Sequence, residues 1–172
     1  MKQLLDETEI RNRVSLLAEQ IAHEYRGKPL TVIGILTGSM ILISDLIRRI
    51  DLPLRLGLIQ ASSYRGKTVT PSKLIVNESL VPDIAGRDVL LVDDIFDTGF
   101  TLSEIGKKVT ARNPNSLKTL VLLWKEGRSR VPFQPDFFGF RIPDSFVVGY
   151  GLDYNDEYRH LPYIAVLDEK EM

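Results

Sequence analysis

The chain has 172 residues, 44% of them hydrophobic and 26% charged, which suits one domain with a sizeable core. Its formal net charge of −1 disfavours a dedicated nucleic-acid or anionic-membrane binder, and the absence of cysteine excludes disulfides, thiolate catalysis and cysteine-bound metals. The two histidines, His23 and His160, lie too far apart in sequence to suggest a His-rich zinc site.

The first ten residues, MKQLLDETEI, carry no apolar signal core, and no run reaches the ~18 apolar residues of a membrane span. The expectation is a cytoplasmic globular protein of one domain, residues 1–172, with no membrane partner. The first element reads as a helix, because Ile10, Val14, Leu17, Ala18, Ile21 and Tyr25 recur at spacings of three and four. Asp6 followed by Glu9 resembles a capping box at its start, and Gly27 and Pro29 end it.

Short β-rich runs then alternate with helical patterns. Strands are expected over residues 30–36, 54–62, 73–77, 88–92, 117–124, 146–149 and 163–167, and helices over 39–50 and 102–112. Residues 88–92 and 117–124 are apolar without alternation, as in strands covered on both faces. This order implies an α/β fold with a mostly parallel central sheet flanked by helices. Ligands of such sheets bind beyond the carboxyl ends of the strands. Three stretches interrupt the alternation. Residues 62–72 (SSYRGKTVTPS) read as a long loop, residues 78–87 as a connector, and residues 126–144, rich in Pro and Gly, as a small irregular flap over the strand ends.

Residues 89–101, VLLVDDIFDTGFT, carry the sharpest chemistry. Asp93 and Asp94 at a strand end can accept hydrogen bonds from vicinal hydroxyls, such as those of a ribose. Residues 97–101 form a tight turn opening a helix. Their backbone N–H groups, the Thr98 and Thr101 hydroxyls and the helix dipole suit a phosphate monoester. Gly99 lets the backbone approach that phosphate, and Asp97 stands between phosphate and sugar.

This run resembles the phosphoribosyl-pyrophosphate signature of the type I phosphoribosyltransferases. Leu123-Trp124-Lys125, then PDFFGF at 135–140, then PDSFVVGYGLDYN at 143–155 with Arg159 following, narrow the resemblance to the hypoxanthine-guanine members. It covers about residues 31–167.

The resemblance implies a role for each position. Asp93 and Asp94 would hold the ribose hydroxyls directly or through magnesium. Asp97 would exchange the proton at purine N7, and Thr98, Gly99, Phe100 and Thr101 would cradle the 5′-phosphate. Lys125 would donate to purine O6, Phe146 would stack on the base, and the Val147 backbone would bond its edge. Asp153 would belong to the purine site and contact a second magnesium bound to pyrophosphate, and Arg159 would bind pyrophosphate. The loop of Leu36, Thr37, Gly38 and Ser39 would be the other pyrophosphate loop, with a non-proline cis bond between Leu36 and Thr37. Ser62, Ser63 and Tyr64 would open a lid. The family often has a Lys where this chain has Thr37, which keeps the backbone donor but removes a positive charge.

Taken singly, these residues have plainer uses. Lys125 could be a solvated strand end, Phe146 core, Asp153 a turn cap with Asn155, and Arg159 half of a surface ion pair. Their joint order and spacing favour the enzyme. The implied reaction joins a 6-oxopurine to phosphoribosyl pyrophosphate, with Mg2+ as cofactor, small-molecule substrates, and a homodimer or homotetramer as the assembly. Hypoxanthine, guanine and xanthine differ at C2, which Lys125 does not read. The alternative is a nucleotide-binding regulator of transcription on the same fold, which would want a broad basic face or an added DNA-binding domain.

Overall fold

A computed structural model describes residues 1–63 and 74–168, with the backbone alone described for Ser62 and Ser63. Strand β1 (Lys2–Leu5) leads into helix α1 (Glu7–Glu24). The capping box is present: the Glu9 N–H donates to the Asp6 carboxylate and the Asp6 N–H to the Glu9 carboxylate, both at 2.8 Å. Ile10, Val14, Leu17, Ala18 and Ile21 form the buried stripe of α1. Replacing Asp6 by Ala removes the cap acceptor and should cost about 1 kcal/mol, read as a fall of about 2–4 °C in Tm. An unchanged Tm would show that the cap contributes nothing.

The chain continues through β2 (Leu30–Leu36), α2 (Met40–Ile47), β3 (Arg55–Ser63), β4 (Leu74–Leu80), β5 (Asp88–Phe96), α3 (Phe100–Thr110), β6 (Ser116–Lys125), β7 (Phe137–Ile142), β8 (Val147–Val148) and β9 (Ile164–Val166). Six strands form the main sheet in the order β4-β3-β2-β5-β6-β7, and three form a smaller sheet in the order β1-β9-β8. In the main sheet β3, β2, β5, β6 and β7 run parallel, and β4 pairs antiparallel with β3.

Alternate side chains of the central strands point to opposite faces. Leu30 and Val32 of β2 and Leu90 and Val92 of β5 pack with α1 and α2. Ile33 and Ile35 of β2 and Val89 and Leu91 of β5 pack with Leu102, Ile105 and Val109 of α3. The unbroken apolar run Val89–Val92 is therefore what the two-sided cover requires.

The structure corrects several sequence expectations. The flap of residues 126–144 is shorter than expected, because Phe137–Ile142 joins the main sheet beside β6. Ser62 and Ser63 end β3, paired with Ile75 and Leu74, instead of beginning a loop. The strand after residue 73 runs to Leu80 and takes the start of the expected connector. Strand β1 was outside the expected elements. Its four residues carry no period of their own and are fixed by pairing with β9. Asp93 and Asp94 lie within β5, since pairing with β6 continues to Phe96.

Candidate active site

From β2 the chain builds outward to β3 and β4, then returns to place β5, β6 and β7 on the other side of β2. The order reverses between β2 and β5, and a crevice opens at the carboxyl ends of strands on either side of such a switch point. A cavity of about 610 Å³ lies there, lined by Gly38 after β2, Asp93, Asp94 and Asp97 at the end of β5, Thr98–Leu102 at the start of α3, and Arg130 and Val131.

Asp93 is 8% exposed. Burial, and then the adjacent Asp94 charge, push its carboxyl well above the ordinary carboxylate range. Asp94 is also raised by burial, partly offset by hydrogen bonds from Asp93 and the Ile95 N–H and by the charge of Arg159. The backbone orients both: the Asp94 N–H donates to Asp93 at 3.0 Å and the Ile95 N–H to Asp94 at 2.8 Å. Two such carboxyls favour hydroxyl donors or a hard cation. No group of three His, Cys, Asp or Glu able to hold a metal exists among the described residues. Magnesium is commonly held by one or two carboxylates together with substrate phosphates, and the Asp93–Asp94 donor set fits that mode.

Gly99, the N-cap of α3, is in the left-handed region at φ 81° and has no side chain to cap the helix. An added Cβ at Gly99 would press on Val131 and the Phe96 ring. The Ser103 N–H donates to the Gly99 carbonyl at 2.9 Å and the Phe100 N–H to the Thr98 hydroxyl at 3.4 Å, and the N-terminal turn of α3, with its unpaired donors, lines the cavity. The Thr98 carbonyl accepts from the Arg130 N–H at 2.9 Å, which ties the turn before α3 to the flap.

Asp97 sits in an ion network with three groups from the flap and its two flanking strand ends. Its Oδ1 accepts from Arg128 Nε at 2.8 Å, and its Oδ2 lies 3.6 Å from Lys125 Nζ. Asp144 lies 3.3 Å from Arg128 Nη1 and 3.9 Å from Lys125 Nζ. Burial pushes the Asp97 carboxyl up, but the Arg128 hydrogen bond and the Lys125 and Arg128 charges outweigh it and hold the carboxyl below its usual range. Beneath Lys125, Trp124 packs edge-on against Phe96 at 6.0 Å and Phe138 at 5.1 Å, fixing the end of β6.

On the other wall the Leu36–Thr37 peptide bond is cis, as the resemblance implied. Gly38 leaves no room for a side chain: a Cβ there would run into the Asp94 carboxylate. Ser39 is fully buried, and both its hydroxyl and its N–H donate to the Ile35 carbonyl, while Leu36 and Gly38 line the cavity and Thr37 does not. Behind this loop Arg159 donates to the Gly151 carbonyl at 2.7 Å and pairs with Asp153 at 2.8 Å. Asp153 also accepts from the Asp156 N–H at 3.0 Å, so its carboxylate is engaged from two sides.

Phe146 is 40% exposed, with its ring edge-on to Tyr154 at 5.5 Å. It precedes the short β8, whose Val147 is buried. Neither belongs to the cavity lining. Tyr64 lies outside the described residues. Arg128, Arg130 and Asp144 were not singled out from the sequence. Within a Pro- and Gly-rich segment, no periodicity marks which charge turns inward.

A family model described as the phosphoribosyl transferase domain matches residues 1–155. A hypoxanthine-guanine phosphoribosyltransferase of Staphylococcus aureus is 43% identical over 164 residues, 95% of this chain and 92% of that protein. The crystal structure of a Staphylococcus aureus hypoxanthine phosphoribosyltransferase superposes with a TM-score of 0.92 at 41% identity, covering 99% of this chain and 92% of that one. A Trypanosoma cruzi hypoxanthine phosphoribosyltransferase, solved as a ternary substrates complex, gives 0.89 at 39% identity, covering 99% and 97%.

Proposed function

The chain belongs to the phosphoribosyltransferase family, and we propose that it makes the nucleoside 5′-monophosphates of hypoxanthine and guanine from phosphoribosyl pyrophosphate, releasing pyrophosphate. One observation carries the base assignment. Asp97 Oδ2 and Lys125 Nζ, an acceptor and a donor, stand 3.6 Å apart beside the phosphate cradle. A 6-oxopurine protonated at N7 presents the complementary pair, N7–H and O6, on one edge. The relatives named above are enzymes, and the reading of a nucleotide-binding transcriptional regulator is not supported.

Bond breaking at the anomeric carbon leaves positive charge on the ribose and negative charge on pyrophosphate. Magnesium, when bound, supplies part of the charge that neutralises the leaving group. Asp93 and Asp94 would hold it or the ribose hydroxyls. Thr98–Thr101 would bind the 5′-phosphate through backbone donors, and Thr37, Gly38 and Arg159 would bind pyrophosphate. Asp97 would take the N7 proton as N9 attacks. Lys125 would bind O6, Phe146 would cover the base and Val147 would bond its edge. Asp153, through its ion pair, would hold Arg159 beside Asp94. Ser62, Ser63 and Tyr64 would open a water-excluding lid.

We read residues 1–172 as one domain, since Val147 and Ile164 of the small sheet share a core cluster with β2, β5 and β6. A homodimer or homotetramer is the assembly that the resemblance implies, and light scattering reads it directly. A cytoplasmic setting fits charged phosphorylated substrates that do not cross membranes unaided. Among the described residues no helix is long and apolar enough to cross a membrane. The test of function is a base panel with phosphoribosyl pyrophosphate and magnesium. Nucleotide should form with hypoxanthine and guanine, and no nucleotide with any base would overturn the proposal.

A further inference from the structure

Arg128 stands in the loop between β6 and β7, outside every role assigned above. Its backbone is pinned on both sides: the Glu126 N–H donates to the Ile142 carbonyl at 3.0 Å, and the Arg130 N–H to the Thr98 carbonyl at 2.9 Å. Its guanidinium spans two carboxylates, with Nε on Asp97 Oδ1 at 2.8 Å and Nη1 on Asp144 Oδ2 at 3.3 Å. Lys125 bridges the same two carboxylates from the other side, at 3.6 Å and 3.9 Å. The four side chains make a closed figure of two acids and two bases.

We infer that Arg128, steadied by Asp144, is a positioning residue that fixes the Asp97 carboxylate so that Oδ2 is the oxygen offered to the base. The inference rests on the 6-oxopurine reading given above. An aspartate carboxylate otherwise turns freely about its last torsion, whose energy well is broad and two-fold. With Oδ1 held by the planar guanidinium, Oδ2 stays beside Lys125 Nζ, in the arrangement that the N7–H and O6 edge requires. Without Arg128, Lys125 alone faces both carboxylates. Its ammonium then has two anions competing with O6 for its hydrogens, and the plane of the Asp97 carboxylate is free to turn away from the base.

The groups facing Asp97 are Lys125 at the end of β6, Arg128 in the flap loop and Asp144 after β7, with Asp93 and Asp94 upstream on β5. Arg128 makes the hydrogen bond that most strongly holds the Asp97 carboxyl down. A catalytic base works only when deprotonated, so activity is present above its titration and lost as pH falls through it. Removing Arg128 should raise that titration and carry the acid limb of the rate profile upward with it.

The experiment compares wild type with Arg128→Gln and Arg128→Lys. The Asp97 carboxyl is followed by NMR in protein labelled with 13C-aspartate and assigned by the loss of its signal in Asp97→Asn. In parallel, kcat and KM are measured against pH with hypoxanthine. The expected result is a carboxyl titration displaced to higher pH in Arg128→Gln. The acid limb moves with it and kcat falls about 10–100-fold, the effect of one charge-assisted hydrogen bond, with little change in KM for phosphoribosyl pyrophosphate. Arg128→Lys, which keeps the charge and loses the fork, should return the titration most of the way and the rate only in part. A titration unmoved in Arg128→Gln would overturn the inference even if the rate fell, since a loop that merely lost its packing would do that. The NMR arm needs no turnover. A wild-type protein that makes no nucleotide therefore counts against the functional proposal, and the titration still decides the role of Arg128.

Discussion

Asp97→Asn should lose about 10²–10⁴ in turnover with hypoxanthine, the span that one acid/base group usually supplies. The substitution keeps the size of the side chain and can still accept a hydrogen bond from Arg128. It removes the negative charge and the ability to take a proton. The purine enters with a proton at N7 and must lose it as N9 bonds to the anomeric carbon, otherwise the product carries a cationic ring. Asp97 is 35% exposed and held below the ordinary carboxylate range by Arg128 and Lys125, so it is ionised at neutral pH. Such a carboxylate is a weak base toward a neutral purine. It becomes effective only as the attacking ring gains positive charge, which places its contribution in the transition state. The loss should therefore fall on kcat, with KM for phosphoribosyl pyrophosphate nearly unchanged. Turnover equal to wild type would remove Asp97 from the role of general base.

The parts of this site that follow the chain locally were legible in the sequence. The run from Val89 to Thr101 is one strand, one turn and one helix start, and each step is set by neighbours within a few residues. The α1 boundary was legible for the same reason, because Asp6 and Glu9 satisfy each other's backbone donors. What could not be read is whatever depends on pairing across the fold. Lys2–Leu5 becomes a strand because Ile164–Val166 offers it an edge. Phe137–Ile142 reads as part of a Pro- and Gly-rich flap until β6 is placed beside it. Ser39 sits in a polar loop motif that suits phosphate binding, yet its hydroxyl turns inward to the Ile35 carbonyl. Arg128 and Asp144 are 31 and 47 residues from Asp97 in sequence terms of three separate segments, and only the sheet order brings them together.

Adenine should react at least about 10⁴-fold less efficiently than hypoxanthine, judged by kcat/KM, because the proposed function has Lys125 donate to the 6-oxo group and a site built around such polar pairing rejects a mismatched partner. Lys125 Nζ can only donate. Against O6 it forms a charge-assisted hydrogen bond, whereas against a 6-amino group it meets two more donors and gains no acceptor from the base. Its side chain is only 11% exposed, so water cannot readily make up the lost partner. Asp97 does not help to discriminate, because both purines can carry a proton at N7. The preference therefore sits on Lys125, and Lys125→Gln tests it. A neutral amide can turn to offer either its N–H or its carbonyl, so it pairs with both bases. Efficiency with hypoxanthine should fall about 10–100-fold through loss of the charged donor, while efficiency with adenine should hold or rise, which narrows the ratio from both ends. The same substitution takes one cation from the square formed with Arg128, Asp97 and Asp144, so the acid limb of the hypoxanthine profile should also move to higher pH. Comparable wild-type rates with the two bases would sink the 6-oxopurine assignment. A ratio unchanged in Lys125→Gln would instead move the discrimination to another residue and leave the reaction itself standing.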